Sequence, residues 1–100
     1  MNYTVSITQQ AIDELDAAFL WLLRQTEQHA PAWYNRVLDA INSLERLPTR
    51  CPLAPENENH DEEVRHLIVG DRVHAYRIIF AIRGKEVVVL DVLHGARESR

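Results

Sequence analysis

Four residues in the last third of this chain have side chains suited to chemistry: Arg65, Arg77, His94 and Arg97. An arginine guanidinium binds a phosphate or a carboxylate through parallel hydrogen bonds. A histidine imidazole, with an unperturbed pKa of about 6.5, transfers protons near neutral pH. These residue types could bind an anionic group and move a proton beside it, provided that the surrounding elements present them.

The predicted elements around these residues are β-strands. Residues 73–83 and 86–94 are mostly β-branched or aromatic and contain no internal proline or glycine. Gly84 lies between them and suits a tight hairpin with positive φ. Residues 64–69 form an earlier run that ends at Gly70 and Asp71, so we expect a three-stranded antiparallel meander. The last strand is apolar on both faces, which is typical of a central strand.

Alternation along the middle strand separates two faces. One face carries bulky apolar residues, namely Tyr76, Ile78, Phe80 and Ile82. The other carries Arg77 among smaller or apolar residues, namely Ala75, Ile79 and Ala81. Arg77 is therefore predicted on the thinner face, and Tyr76 in the core.

The first half of the chain predicts two helices. Thr8 is a plausible N-cap for a helix over residues 9–28, whose apolar residues recur at helical spacing. Pro31 suits the first turn of a second helix that ends before Pro48. Its apolar stripe is predicted to comprise Trp33 or Tyr34, Val37, Ile41, Leu44 and Leu47. We expect the helices to form a hairpin that also accounts for Trp21 and Trp33.

The remaining segments complete an α+β domain. Residues 3–7 alternate and favour a short N-terminal strand. Residues 48–63 contain three prolines and five acidic residues and predict an acidic loop. The order is βααβββ, with the N-terminal strand and the helical hairpin packed on a mainly antiparallel sheet. We expect one domain over residues 1–100.

Composition excludes several classes of protein. The net charge is −4, yet residues 1–63 carry 4 arginines against 11 acidic residues, whereas residues 64–100 carry 7 basic against 4 acidic residues. A nucleic-acid binder needs a broad positive field, so general binding of nucleic acid is disfavoured. The lone Cys51 permits no internal disulfide and makes no structural zinc site, and we predict neither a metal nor a cofactor. Without a membrane span or a signal peptide, the chain is expected in the cytoplasm.

The chain resembles the RelE/ParE superfamily of toxins from bacterial type II toxin–antitoxin systems. The resemblance covers nearly the whole chain and depends on the βααβββ order, the segment AYRIIFAI at 75–82 and the ending VLDVLHGAR at 89–97. It implies a small toxin that a cognate antitoxin neutralises in a hetero-oligomer. It also implies one of two targets: DNA gyrase for ParE-like members, or ribosome-bound mRNA for RelE-like endonucleases.

The candidate residues can be compared with those that a RelE-like endonuclease requires. Cleavage of RNA by its own 2′-hydroxyl requires a proton acceptor, cations beside the phosphorane and an acid for the leaving oxygen. By resemblance, Arg65, Arg77 and Arg97 match basic positions of RelE-like enzymes, and His94 could be the acid or base. Leu67, however, lies where RelE-like enzymes are expected to have a second lysine, and the C-terminal tyrosine of those enzymes has no counterpart after Arg97. The incomplete set favours ParE-like inhibition of gyrase, with a non-toxic binding module as a further alternative.

Each candidate residue also has a structural interpretation. His94 could end a strand and hydrogen-bond Arg97 or the backbone. Arg77 could bind a target phosphate or carboxylate, or pair with an acid such as Asp91 on the next strand. Arg65 and Arg97, near strand ends, are expected to be solvated or to face the antitoxin.

Overall fold

The computed structural model describes residues 2–70 and 75–94 of the chain. Its strands and helices are β1 (Thr4–Ile7), α1 (Gln9–Gln25), α2 (Ala30–Asn42), β2 (Val64–Val69), β3 (Tyr76–Arg83) and β4 (Glu86–His94). Short 3-10 helices occur at Ser43–Glu45, Pro48–Arg50 and Pro55–Asn59. The predicted βααβββ order and α+β class are confirmed. Residues 73–74 of the predicted middle strand lie outside the described residues.

The strands form one mixed sheet in the order β1-β4-β3-β2. β3 pairs antiparallel with both β2 and β4, and β1 pairs parallel with β4. Gly84 has a φ of 63° in the turn between β3 and β4, as the predicted hairpin requires. The sheet is therefore mainly antiparallel, and β4 is a central strand, as predicted.

α1 begins where the sequence predicts and ends earlier. The Thr8 side chain is the N-cap, since its Oγ1 accepts a hydrogen bond from the Ala11 N–H at 3.1 Å. The helix ends at Gln25 because Thr26 is extended, with φ −159° and ψ 100°. The predicted end at residue 28 is therefore wrong by one turn.

The end of α2 also differs from the prediction. The α-helix stops at Asn42, and the 3-10 helix that follows keeps Leu44 buried. Arg46 is then extended, and Leu47 has a φ of 45° directly before Pro48. Leu47 is consequently 69% exposed rather than part of the buried stripe. The prediction that Leu47 belongs to the buried stripe is wrong because α2 ends at Asn42, five residues earlier.

The main core lies between the helices and one face of the sheet. Trp33 belongs to it and packs edge-on against Tyr76, with ring centroids 5.0 Å apart. Trp33 is thus explained by packing, as predicted, although it contacts the sheet as well as the helices. Trp21 is 48% exposed on α1, so the same prediction is wrong for Trp21. Tyr76 is buried, as predicted.

A second, smaller apolar cluster lies on the opposite face of the sheet. Its buried members are Ala54, Val64, Ile79 and Ala81. Ala54 comes from the connection between α2 and β2, which therefore covers part of the face that the helices leave open. Among the described residues, no helix is long and apolar enough to cross a membrane.

Candidate functional site

Arg77 lies in a buried ion pair on the face of the sheet that the helices leave open. Its Nη1 donates to Oε1 of Glu56 at 3.0 Å, and its Nη2 donates to Oε2 at 2.5 Å. The two side chains are only 8% and 10% exposed. Glu56 comes from the 3-10 helix Pro55–Asn59, so this pair attaches the acidic loop to β3.

Of the two interpretations of Arg77, the structure shows the ion pair with an acid, but that acid is Glu56 and not Asp91, which we had given as an example. A register shift in the β3–β4 ladder places Leu93 opposite Arg77 and Asp91 opposite Ile79. Asp91 instead accepts a hydrogen bond from Nε2 of Gln10 at 2.6 Å.

His66 on β2 is the third member of this polar group. Its Nδ1 lies 3.3 Å from Nη1 of Arg77. Because a guanidinium can only donate, Nδ1 is the acceptor in this contact. Burial lowers the pKa of His66, and the adjacent Arg77 charge lowers it further. The imidazole is therefore neutral at neutral pH and accepts from the arginine.

The electrostatics of Glu56 follow from the same contacts. The hydrogen bonds from Arg77 lower the pKa of the Glu56 carboxyl, and they outweigh the opposing effect of burial. Glu56 is thus ionised and compensates the charge of Arg77. A buried ion pair of this kind stabilises the attachment of the loop, and its guanidinium edge is already occupied by a carboxylate.

Arg65 also holds the connection between α2 and β2. Its Nη1 donates to the backbone oxygen of Cys51 at 2.7 Å, and its Nη2 lies 3.2 Å from Oε1 of Glu63. Its side chain is 21% exposed and contacts the loop, so Arg65 is not simply solvated; the alternative that it faces the antitoxin stays a prediction. The segment 51–54 folds back along this strand end, where the Ala54 N–H donates to the Val64 oxygen.

His94 lies on the other side of the sheet from Arg77. It is opposite Tyr76 in the β3–β4 ladder, and its ring packs nearly perpendicular to that of Tyr76 at 4.9 Å. Since side chains alternate along β3, Tyr76 and Arg77 point to opposite faces. The structure therefore does not bring His94 and Arg77 together. The fourth candidate, Arg97, lies outside the described residues.

Two further residues of the sequence argument can be placed. Leu67, at the position where RelE-like enzymes are expected to have a lysine, packs against the main core. Cys51 is buried, and burial raises the pKa of its thiol, which makes it a poor nucleophile. In residues 2–70 and 75–94, no group of histidine, cysteine or acidic side chains could hold a metal ion.

Glu56 and His66 were missed as partners of Arg77. His66 could have been found, because alternation and the antiparallel meander place it on the face of Arg77. Glu56 could not, since it is one of five acidic residues in a loop 21 positions before Arg77, and no periodicity marks it.

A different surface is notable for exposed apolar side chains. On α1, Leu20 is 59% and Trp21 48% exposed, and both lie on the side of the helix that does not face the sheet. Large neighbouring apolar residues on a surface are typical of protein contacts.

The chain has a small mixed α+β fold. Among the described candidate residues, the Arg77 guanidinium binds the Glu56 carboxylate, and no acid, base and cation lie together as a nuclease would require. The fold is similar to that of a solved chain from the "Chromosomal ParDE TA system from P. aeruginosa", with a TM-score of 0.74 over 92% of this chain and 95% of that chain. At 17% identity, this likeness supports the fold alone.

The family follows from the sequence itself. Residues 5–99 match the family model of the ParE toxin of type II toxin–antitoxin system, parDE. The chain therefore belongs to the ParE toxin family, and the predicted resemblance to the ParE side of the superfamily is confirmed. No curated protein matches the chain significantly.

Proposed function

We propose that this ParE-family toxin inhibits DNA gyrase by binding it directly, and that a cognate antitoxin neutralises it in a hetero-oligomer. The observation that carries the proposal is the family match over residues 5–99. Inhibition by association needs no acid or base on the toxin, which agrees with a fold whose polar groups are engaged with one another.

The positions of the candidate nuclease residues support the gyrase target over mRNA. An endonuclease must bring its cation and its acid or base to the same phosphate. Here Arg77 binds Glu56, and His94 packs against Tyr76 on the opposite face. A substrate phosphate would have to displace a buried carboxylate to reach Arg77, and it would still lie on the wrong side of the sheet from His94.

The exposed residues of α1 support a protein partner. Val37 is fully buried, and Leu22 and Leu23 are partly buried. Leu20 and Trp21 are the more exposed pair on α1. Burial of such side chains by an antitoxin would make the complex unfold at a higher temperature than the free toxin.

The test of the gyrase target combines two assays. Induction of the chain in bacteria should lower DNA synthesis within minutes, before protein synthesis, in pulse-labelling measurements. The purified chain should inhibit supercoiling by purified gyrase and increase cleaved DNA in that reaction. If protein synthesis falls first and gyrase is unaffected, the mRNA endonuclease replaces this proposal; if neither process changes, the chain is a non-toxic binding module.

Two variants of His94 separate chemistry from packing. His94→Phe retains an aromatic ring against Tyr76 and abolishes proton transfer, whereas His94→Ala removes both. We expect His94→Phe to retain full toxicity. A loss of toxicity in His94→Phe, with normal folding, would contradict a mechanism without catalysis.

A further inference from the structure

Ion pairs connect the arginines of β2 and β3 to one short acidic stretch of the chain. We use the name acidic segment for residues 56–63, which contain five acidic side chains: Glu56, Glu58, Asp61, Glu62 and Glu63. Three of them pair with the sheet: Glu56 with Arg77, Glu62 with Arg83, and Glu63 with Arg65. The acidic segment thus forms ion pairs with arginines of both β2 and β3.

Two of these pairs are bidentate and lie on one face. Arg77 and Arg83 are six residues apart on β3, so both point away from the helices. Arg83 donates from Nε and Nη2 to the two carboxylate oxygens of Glu62, at 3.0 and 2.7 Å. Arg77 binds Glu56 through two hydrogen bonds as well. A guanidinium binds a phosphate with the same paired hydrogen bonds, so each carboxylate occupies the position that a phosphate would take.

The acidic segment is also anchored by other contacts. Ala54, two residues before the segment, is buried in the second apolar cluster with Val64 and Ile79. The Asn57 side chain accepts a hydrogen bond from the Val64 N–H at 2.8 Å. The segment therefore lies over β3 in a defined position, rather than pairing with the arginines as a loose tail would.

The charges of the acidic segment and of the strands that it contacts are complementary. Arg65, Arg77 and Arg83 each lie beside one carboxylate of the segment. We propose that the acidic segment is an internal substitute for a polyanion, which occupies Arg77 and Arg83 and so prevents this face of the sheet from binding nucleic acid. The inference does not depend on gyrase being the target.

The experiment compares two double variants of equal charge. Glu56→Gln/Glu62→Gln removes the carboxylates that pair with β3. Glu58→Gln/Asp61→Asn removes two exposed carboxylates of the same segment that do not pair with these arginines. Binding of a fluorescein-labelled single-stranded RNA of about 20 nucleotides is measured by anisotropy over a series of salt concentrations.

We expect the first variant to bind the RNA at least tenfold more tightly than the second. Arg83 is the accessible guanidinium of the two, because Arg77 stays covered by the anchored segment. The plot of log K against log salt should therefore have a slope of about −0.7, the contribution of one phosphate on a single strand. Adding Arg83→Gln to the first variant should remove most of this slope. Equal binding by the two double variants would show that net charge alone matters and would overturn the proposal, as would the absence of RNA binding by the first.

A single variant keeps the test decisive if the first double variant does not fold. Glu62→Gln acts on a surface pair, whose side chains are 51% and 38% exposed, and leaves the buried pair intact. It should bind RNA more tightly than Asp61→Asn, and equal binding would again contradict the proposal. Gyrase inhibition by each folded variant is recorded in parallel, so that failure of the target assignment is distinguished from failure of this one.

Discussion

The prediction that depends most directly on the structure concerns the loss of Glu56. Replacement by alanine leaves the Arg77 guanidinium, which is 8% exposed, without its carboxylate. Removal of one partner from a buried ion pair costs about 3–5 kcal/mol of stability, because the remaining charge is desolvated and uncompensated. Arg77 retains its contact with His66, so we expect a value near the lower limit, about 3 kcal/mol.

The Glu62 pair is a matched control within the same segment. It has the same residue types and is also bidentate, but its arginine is 51% exposed. Glu62→Ala should therefore lower the stability far less than Glu56→Ala, as is typical of surface pairs. Burial is the variable that differs between the two variants.

Urea unfolding followed by tryptophan fluorescence would measure both effects. For a urea m-value of about 1.5 kcal/mol/M, Glu56→Ala should lower the midpoint by about 2 M with an unchanged slope. A double variant, Arg77→Met/Glu56→Leu, should recover most of this loss, because two apolar side chains need no compensation. If Glu56→Ala costs no more than Glu62→Ala, the argument from burial is refuted.

The pH dependence of the same pair has a defined sign. Because Arg77 lowers the pKa of Glu56 in the folded chain, the carboxylate stabilises the fold above its ordinary pKa of 4.5, and this contribution is lost as the pH falls through the lowered folded pKa. The stability difference between the wild type and Glu56→Ala should therefore narrow below pH 4.5. A difference that stays constant in strong acid would contradict this assignment.

Three further predictions concern single residues. Burial, and then the Arg77 charge, lower the pKa of His66 below 6.5. The neutral imidazole therefore contributes its full stabilisation above pH 6.5, and this contribution is lost as the pH falls through the lowered folded pKa. Urea titrations at several pH values should show less acid destabilisation in His66→Gln than in the wild type. Leu47→Asn should raise stability by about 0.5 kcal/mol, because asparagine tolerates the left-handed conformation better and the exposed leucine side chain contributes little burial; an unfolding midpoint below that of the wild type would count against this. Thr8→Ala should lower stability by about 1 kcal/mol through loss of the α1 N-cap, while Thr49→Ala, at an exposed position, should leave the same midpoint nearly unchanged.

Local signals were sufficient for the element types and for most boundaries. Runs of β-branched residues identified the three C-terminal strands, and Gly84 identified the hairpin between two of them, because both signals act over a few neighbouring residues. Thr8 marked the start of α1 for the same reason. The end of α2 was predicted too late, because apolar residues at helical spacing continue past Asn42 to Leu47, whereas the α-helical backbone stops at Asn42.

The candidate site was only partly predictable. Alternation placed Arg77 on the face away from Tyr76, and this is confirmed by the register of β3 with β4. The sequence contained no signal that Glu56, rather than Asp91, would be its partner. That choice depends on a register shift in one ladder and on the path of a loop, and neither is encoded in the spacing of nearby residues.

The sequence by itself determined the order of the elements, the faces of the strands and the membership in the ParE toxin family, because each of these depends on residues that are close together in the chain or on a pattern spread over its full length. The tertiary structure alone decided which polar groups are available. Arg77 is occupied by a carboxylate 21 residues away, and His94 packs on the opposite face, because contacts between distant segments set burial and pairing. Burial and pairing in turn control charge, so the arginine that suggested anion binding in the sequence is engaged with a carboxylate in the folded chain, on the opposite face of the sheet from the histidine.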